Sequence, residues 1–370
     1  MFSFIRKGGT MSRFSSAFGL IAMIFLPTLS NGVESFDQVL SAYKIVRPAE
    51  QVMNEIARRF EVVRKLNDGY EVVVPAIRKS ELLQLDPNAQ LLEADISLPP
   101  LPTNPFKSTN GPDYRTLADV QSEMARFAAD HPKIAQLVAY GRSQQGRELV
   151  ALKLSDNVTV DENEPEIMLT AATHGDEVIT TEILMNLLGR LIENYGKDSR
   201  LTALVDGREI YFIPVVNPDG FYTRSRYDNN VDPNRSYPHP GDPNAKSTAS
   251  IRGLLDFFHT RDFVGSIDFH AYGEMVMFPW AYTYNAIAPE YFTPYNSLAG
   301  QMAELNGYAF GPISKVIYVA VGSSADYYFW KNKTKAFAVE VGMAKQPIPS
   351  KIPAYTEAQA EPTWRFLESF

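Results

Sequence analysis

Two histidines and one glutamate occur in a pattern that could hold a catalytic metal ion. His174 and Glu177 form an HxxE motif where a predicted strand ends and a helix begins, and His270 ends another predicted strand. In α/β folds, functional sites form at the carboxyl ends of the strands. Two histidines and one glutamate with an open fourth position are the ligands of a catalytic zinc rather than a structural one. Taken singly, each histidine could instead be a buried, hydrogen-bonded residue.

The composition narrows the possible chemistry. The 370 residues contain no cysteine, which excludes cysteine nucleophiles, disulfides, iron–sulfur clusters and cysteine-bound zinc. Any metal must therefore be held by His, Asp or Glu. The formal charge of -8 argues against a nucleic-acid partner, because affinity for phosphate backbones comes from clustered Lys and Arg. We find no HExxH, P-loop, GxGxxG or GxSxG motif.

The first 32 residues have the features of a secretory signal peptide. Arg13 precedes an apolar run at 17–26, and small residues follow up to Gly32. We predict a signal peptide over 1–32 and a secreted or periplasmic protein. A membrane-spanning helix needs about 20 apolar residues. This run is shorter, so a permanent membrane anchor is the weaker alternative.

A small α+β module is predicted over residues 33–97. Strand-like and helical patterns follow one another there in the order βαββαβ, and Asn67-Asp68-Gly69 is a strong hairpin turn. This order is typical of a ferredoxin-like module. The proline-rich stretch from Leu98 to Pro102 and the polar residues after it predict a linker at 98–112, since proline continues neither a helix nor a central strand.

The remaining residues, 113–370, predict an α/β domain because β-rich runs alternate with amphipathic helical ones. We find no internal repeat. The predicted strands cover 166–172, 208–216, 265–269 and 335–341, and a helix is predicted over 181–195.

Most of the chain resembles the zinc metallocarboxypeptidases of the carboxypeptidase A and B type. Seven motifs in the family's order carry the resemblance. They are Tyr114 to Arg147 with its opening pattern, His174 with Glu177, the NPDG turn Asn217 to Phe221, Val231 to Arg235, His270 to Tyr272, Ile317 to Tyr327, and Lys335 to Glu340. The resemblance implies a mixed central β-sheet flanked by helices, and hydrolysis of the C-terminal peptide bond of peptides and proteins.

The resemblance also implies the catalytic residues. Glu340 matches the glutamate that serves as general base and acid for the zinc-activated water. Arg226 matches the arginine that stabilises the oxyanion, and Arg224 is the alternative because the loop before Asp232 is shorter than in the digestive enzymes. Asp232 matches the carboxylate that orients the first histidine. One Zn²⁺ per catalytic domain is implied, with the ligands His174, Glu177 and His270.

Substrate binding is implied in the same way. Asn234 and Arg235 match the residues that bind the terminal carboxylate, which an arginine fork fits with two hydrogen bonds. Tyr318 matches the tyrosine that closes over the substrate. The side-chain pocket would be lined by Ala325, Ile313 and Ala281. None of these is acidic, so we predict hydrophobic or aromatic C-terminal residues rather than Lys or Arg.

The resemblance makes the module at 33–97 a pro-segment that covers the active site in cis until the linker is cut. An accessory domain that stays attached is the alternative.

The chain also departs from the family pattern. Asp176 replaces the arginine that digestive enzymes carry within HxxE, as in bacterial murein-peptide relatives, and Pro233 interrupts the DxNR motif. A peptidase that trims cell-wall stem peptides is therefore a second hypothesis. A non-catalytic protein that binds C-termini is a third.

Overall fold

The computed structural model describes residues 39–94, 96 and 114–370. The predicted signal peptide, 1–32, and the predicted linker, 98–112, lie outside the described residues. Two β-sheets organise the described part of the chain, one of four strands and one of eight.

The four-stranded sheet belongs to the N-terminal module, residues 39–94. Its strands lie in the order β2-β3-β1-β4, and the chain order is βαββαβ as predicted. The turn Asn67-Asp68-Gly69 joins the antiparallel strands β2 and β3. Side chains from sheet and helices, including Ile45, Ile56 and Leu82, are fully buried between them. The elements are β1 Leu40–Val46, α1 Glu50–Arg59, β2 Glu61–Leu66, β3 Gly69–Pro75, α2 Lys79–Leu85 and β4 Gln90–Glu93.

The eight-stranded sheet belongs to the C-terminal domain, residues 114–370. Its strands lie in the order β11-β10-β12-β9-β7-β8-β6-β5. They are β5 Ala135–Arg142, β6 Glu148–Leu154, β7 Glu166–Ala171, β8 Glu209–Ile213, β9 Phe263–His270, β10 Met275–Phe278, β11 Ala309–Pro312 and β12 Lys335–Glu340.

Helices pack against this sheet. They are α3 Leu117–Asp130, α4 Val178–Asn194, α5 Ser199–Asp206, α6 Pro218–Thr223, α7 Ala249–Phe258, α8 Pro289–Asn306, α9 Ile313–Val316, α10 Ser324–Asn332 and α11 Ile352–Leu367. Two hydrophobic clusters fill the space between sheet and helices, and the larger contains α4, α8 and α11. The mixed α/β fold predicted from the sequence is therefore present.

The strands at the centre of the sheet are parallel, and their direction determines where the candidate site lies. Strands β12, β9, β7 and β8 run in the same direction, whereas β5 pairs antiparallel with β6, β6 with β8, and β10 with β12. Strand β7 is buried along its whole length, which explains why Ile167, Met168, Leu169 and Ala171 are apolar on both of its faces. Because β7, β9 and β12 are parallel neighbours, their carboxyl ends meet at one edge of the sheet.

No helix among the described residues is both long enough and apolar enough to cross a membrane.

Candidate active site

Three side chains from two parallel strands meet at this edge. His174 lies three residues beyond β7, Glu177 is the N-cap residue of α4, and His270 is the last residue of β9. All three are buried. The loop that carries His174 packs tightly against the turn before α6, where a Cβ on Gly175 would lie only 2.0 Å from the carbonyl carbon of Gly220. Only glycine allows this close approach.

The facing atoms of these side chains converge on one point. Nδ1 of His174 lies 2.7 Å from Oε1 of Glu177, and Nδ1 of His270 lies 3.0 Å from Oε2. The two Nδ1 atoms are 3.2 Å apart. Burial raises the pKa of Glu177, but the two imidazoles outweigh it and hold that pKa well below its ordinary value. The carboxylate is therefore an anion, the form that binds a metal.

Two further carboxylates hold the outer nitrogens of the rings. Nε2 of His174 lies 3.1 Å from Oδ1 of Asp232, and Nε2 of His270 lies 3.0 Å from Oδ2 of Asp268. A carboxylate on one ring nitrogen fixes the tautomer and leaves the lone pair of the other nitrogen for a metal. The pair of His174 and Asp232 agrees with the sequence-based expectation.

The donor set fits zinc. The ligand atoms of His174, Glu177 and His270 all lie within 4.8 Å of one another. Two imidazole nitrogens and one carboxylate leave a position for water, as in catalytic zinc sites. Within the described chain, two other clusters could hold a metal, but they consist of carboxylates alone. They lack the nitrogen ligands that zinc prefers.

Glu340 lies beside this cluster. It ends β12 opposite His270 of β9, and it lines the same cavity. Its Oε2 atom is buried without a hydrogen-bond partner. Burial, followed by the negative charge of Glu177, raises the pKa of Glu340 to about 7. A carboxyl group with this pKa can both accept and donate a proton near neutral pH.

The structure separates the two candidate arginines. Nη1 of Arg226 lies 3.1 Å from Nδ1 of His174 and 3.4 Å from Oε1 of Glu177, while its Nε donates to Oδ2 of Asp232 at 3.0 Å. Arg224 instead donates to the side chain of Gln346 and does not line the cavity. The geometry thus favours Arg226 as the cation next to the cluster.

Asn234, Arg235 and Tyr318 line the same cavity. Nη2 of Arg235 donates to the hydroxyl of Tyr318 at 2.6 Å. The amide of Asn234 lies 3.2 Å from Nε2 of His270 and accepts from the backbone of Ser324. These side chains bring an arginine fork within reach of the metal-ligating residues.

One end of the cavity is apolar. Ile313 and Ala325 line it, as expected from the sequence. Ala281 is fully buried and is not one of the residues that line this cavity. The other aliphatic side chains at the wall belong to Ala271, Met275, Met277, Ile317, Ala320 and Ala338, with Val62 and Val63 of the N-terminal module.

Sequence reasoning missed three charged residues near the site. Asp268 lies two residues before His270, and alternation along a strand puts both side chains on the same face, a signal that could have identified it. Glu61 and Lys345 come from distant parts of the chain and pair with each other next to Arg226. No local sequence pattern relates these two residues.

Comparison with known proteins gives a consistent result. Residues 120–362 match the family described as zinc carboxypeptidase. A zinc carboxypeptidase from Saccharothrix mutabilis subsp. capreolus is 28% identical over 348 residues, covering 80% of this chain and 78% of the relative. Carboxypeptidase A2 from Rattus norvegicus is 28% identical over 302 residues, covering 69% of each protein.

A solved structure extends the likeness in fold. The carboxypeptidase A from Helicoverpa armigera superposes with a TM-score of 0.71 at 15% identity and covers 90% of this chain and 98% of the other. Residues 114–370 are too few to supply this coverage. The shared fold therefore includes part of the chain that precedes them.

Proposed function

The chain belongs to the zinc carboxypeptidase family, and on that premise we propose that it is an exported enzyme that removes C-terminal residues from peptides and proteins. One observation carries the proposal: His174, Glu177 and His270 converge in a cavity that also contains Glu340, Arg226 and Arg235. The cavity thus joins a metal site to a base and to two cations that can bind the substrate.

Glu340 is the proposed proton carrier. Zinc, when bound, lowers the pKa of a coordinated water from about 15.7 to about 7. The carboxylate of Glu340 takes the proton from the attacking water and passes it to the nitrogen of the leaving amino acid. Burial raises the pKa of Glu340 above that of an ordinary glutamate, which favours both transfers because the same group must accept and then donate a proton.

Arg226 is the proposed oxyanion residue. Its guanidinium is held by Asp232 and lies against His174 and Glu177, so its position is set before substrate arrives. A cation fixed beside the scissile carbonyl stabilises the negative charge that develops on oxygen. Its contact with Asp232 also links it to the carboxylate that orients His174.

Arg235 and Asn234 are the proposed binding residues for the terminal carboxylate. The requirement for a free carboxylate makes the enzyme an exopeptidase. Tyr318 is already hydrogen-bonded to Arg235, and closes over the substrate in this proposal. The apolar wall around Ala325 and Ile313 supports a preference for hydrophobic or aromatic C-terminal residues.

The N-terminal module is proposed to cover this site in cis until the chain is cut in the predicted linker, 98–112. Two contacts support this role. The carbonyl of Ala57 accepts from Nε of Arg235 at 3.4 Å, and Oε1 of Glu61 lies 3.2 Å from Nη1 of Arg226. The module therefore occupies both cations that the substrate needs. Export through the predicted signal peptide at 1–32 completes the proposal.

A panel of peptides tests the proposed activity. The full chain, loaded with zinc and nicked in the linker, is incubated with peptides ending in Phe, Leu, Lys or Glu, and released amino acids are measured. Release of Phe and Leu is expected, and the same peptides with C-terminal amides should remain intact.

The other hypotheses are outcomes of the same panel. Cleavage of muropeptide stems without release of Phe or Leu would establish the cell-wall peptidase instead. Binding of C-termini by zinc-loaded protein without any release would establish a non-catalytic protein. The variant Glu340→Gln is the control against contaminating peptidases.

A further inference from the structure

A carboxylate of the N-terminal module is buried between two cations of the C-terminal domain. Both oxygens of Glu61 contact Nζ of Lys345, at 2.6 and 2.7 Å, and Oε1 also lies 3.2 Å from Arg226. The side chain of Glu61 is only 9% exposed. A buried carboxylate is costly unless cations and hydrogen bonds compensate it. This part of the cleft is therefore built to receive a carboxylate.

Lys345 has no part in the proposed reaction. It lies in the loop after β12, and its backbone carbonyl accepts from Ile179 at the start of α4, which fixes the loop. Its ammonium also contacts Oδ2 of Asp176 at 2.7 Å, and the other oxygen of Asp176 is buried without a hydrogen-bond partner. Lys345 thus contacts two carboxylates, one from each part of the chain.

A short stretch of the N-terminal module spans the cleft. The carbonyl of Ala57 contacts Arg235, the proposed ligand of the substrate's terminal carboxylate, and Glu61 contacts Arg226 and Lys345. Arg226 lies next to the metal-ligating side chains of His174 and Glu177. A substrate anchored at Arg235 with its scissile carbonyl at Arg226 therefore directs its upstream residues toward Lys345.

We propose that Lys345, next to Arg226, forms a subsite for an anion and favours substrates with an acidic side chain one or two residues upstream of the scissile bond. Glu61 fills this subsite while the module is in place. The inference rests on the proposed function, because it assumes that peptides replace the module in the cleft.

The electrostatics of Glu61 support this subsite. Burial raises the pKa of Glu61, but Lys345 and Arg226 outweigh the burial and the pKa lies below its ordinary value. The two cations thus stabilise this carboxylate in its charged form despite its burial. When the module leaves, Lys345 loses its contact with Glu61 and keeps its contact with Asp176. A carboxylate of the substrate can then bind to Lys345 where Glu61 was bound.

Matched peptides test the subsite. The zinc-loaded full chain, nicked in the linker, is given peptides that end in Phe and carry Glu or the isosteric Gln at the first or second upstream position. We expect kcat/KM to be about tenfold higher for Glu than for Gln at one of these positions. If kcat/KM for the Glu peptide exceeds that for the Gln peptide by less than twofold at both positions, the proposal is overturned.

Variants identify the residue responsible. The double variant Asp176→Asn/Lys345→Met removes a buried ion pair without leaving one charge alone. It should reduce the Glu/Gln ratio to less than about twofold. Asp176→Asn alone keeps the ammonium and should keep or increase the ratio. The exposed control Lys351→Met should leave the ratio unchanged. A ratio that persists in the double variant would exclude Lys345.

A binding measurement gives an independent readout. After the linker is nicked, Glu61→Gln should weaken retention of the N-terminal fragment about tenfold, whereas the exposed control Glu93→Gln should not. In the Asp176→Asn/Lys345→Met background, Glu61→Gln should have little further effect. An equal loss in both backgrounds would contradict a direct role of Lys345.

The peptide assay separates the two proposals. If no peptide is hydrolysed, the proposed function fails. If Glu and Gln peptides are hydrolysed equally, only the subsite fails.

Discussion

Glu340 and His270 lie opposite each other in register at the ends of the parallel strands β12 and β9. This pairing brings a proposed base and a proposed metal ligand together through backbone hydrogen bonds rather than through a flexible loop. Sites built on strands hold their side chains more precisely than sites on loops. The relative position of base and metal is therefore a property of the sheet.

Glu340 should set the acid limb of the pH profile. Its pKa of about 7 means that it loses the ability to accept a proton as the pH falls below neutrality. A bound metal cation lowers this pKa, so kcat/KM should decline toward acid pH with an apparent pKa no higher than about 7. Steady-state assays between pH 4 and 9 measure it. A rate that rises as the pH falls through this range would contradict the role of Glu340.

Replacing Glu340 should separate catalysis from stability. Glu340→Gln should lower kcat by about 10²- to 10⁴-fold, the usual contribution of a general base. Because the pKa of Glu340 is higher in the folded than in the unfolded protein, its ionisation destabilises the fold. This destabilisation begins when the pH exceeds the pKa of Glu340 in the unfolded chain and reaches its full size above about pH 7. The metal-free variant should therefore melt at an equal or higher temperature at pH 8. The exposed Glu290→Gln is the matched control for both measurements.

Metal binding should stabilise the protein. A ligand at 100 times its dissociation constant adds about 2.7 kcal/mol to the free energy of unfolding. For a domain of this size that corresponds to a rise of about 5 to 10 °C in melting temperature. Zinc added to chelator-treated protein should produce this rise. His270→Ala should abolish it and His259→Ala should retain it, whereas an equal rise in both variants would place the metal elsewhere.

Substitution of the two arginines should have unequal effects. Arg226→Gln should lower kcat/KM by about 10²- to 10³-fold, the range measured for a lost oxyanion donor. Arg224→Gln should lower it by less than about threefold, because Arg224 contacts Gln346 outside the cavity. Melting temperatures check that Asp232, left without its cation in Arg226→Gln, has not unfolded the protein. The reverse order of effects would assign the oxyanion to Arg224.

The intact chain should be nearly inactive. Ala57 and Glu61 contact Arg235 and Arg226, the two cations that are proposed to bind the substrate. Proteolysis within 98–112 should raise the rate of release of C-terminal Phe by at least about tenfold, because the contacts of Ala57 and Glu61 with the two arginines are then lost. Glu61→Gln should raise the residual activity of the uncut chain, and Glu93→Gln should not. Equal activity before and after cleavage would support an accessory domain instead.

Local patterns predicted most of the fold. The turn Asn67-Asp68-Gly69 and the periodicity around it predicted the βαββαβ module. In the C-terminal domain, the helix α4 begins at Val178, three residues before its predicted start, and the backbone N–H of Ile179 in its first turn donates to the carbonyl of Lys345. Boundaries of this kind depend on contacts with the rest of the fold, and periodicity alone does not contain them.

The candidate site was only partly predictable. The composition and the predicted strand ends made His174, Glu177 and His270 candidates, and the resemblance of the surrounding motifs to the zinc carboxypeptidases selected them. Arg226 could not be separated from Arg224, since both lie in one loop of uncertain register. The structure distinguishes them through Asp232, which holds only Arg226.

By itself, the sequence determined which kinds of ligand a metal could have and which strands would carry them, because donor chemistry and hydrophobic periodicity are local properties. Only the tertiary structure decided that Glu61 of the N-terminal module meets Lys345 across 284 residues of chain. This contact arises where the module packs against the loop after β12, and electrostatic pairing over such a separation leaves no mark in the neighbouring residues.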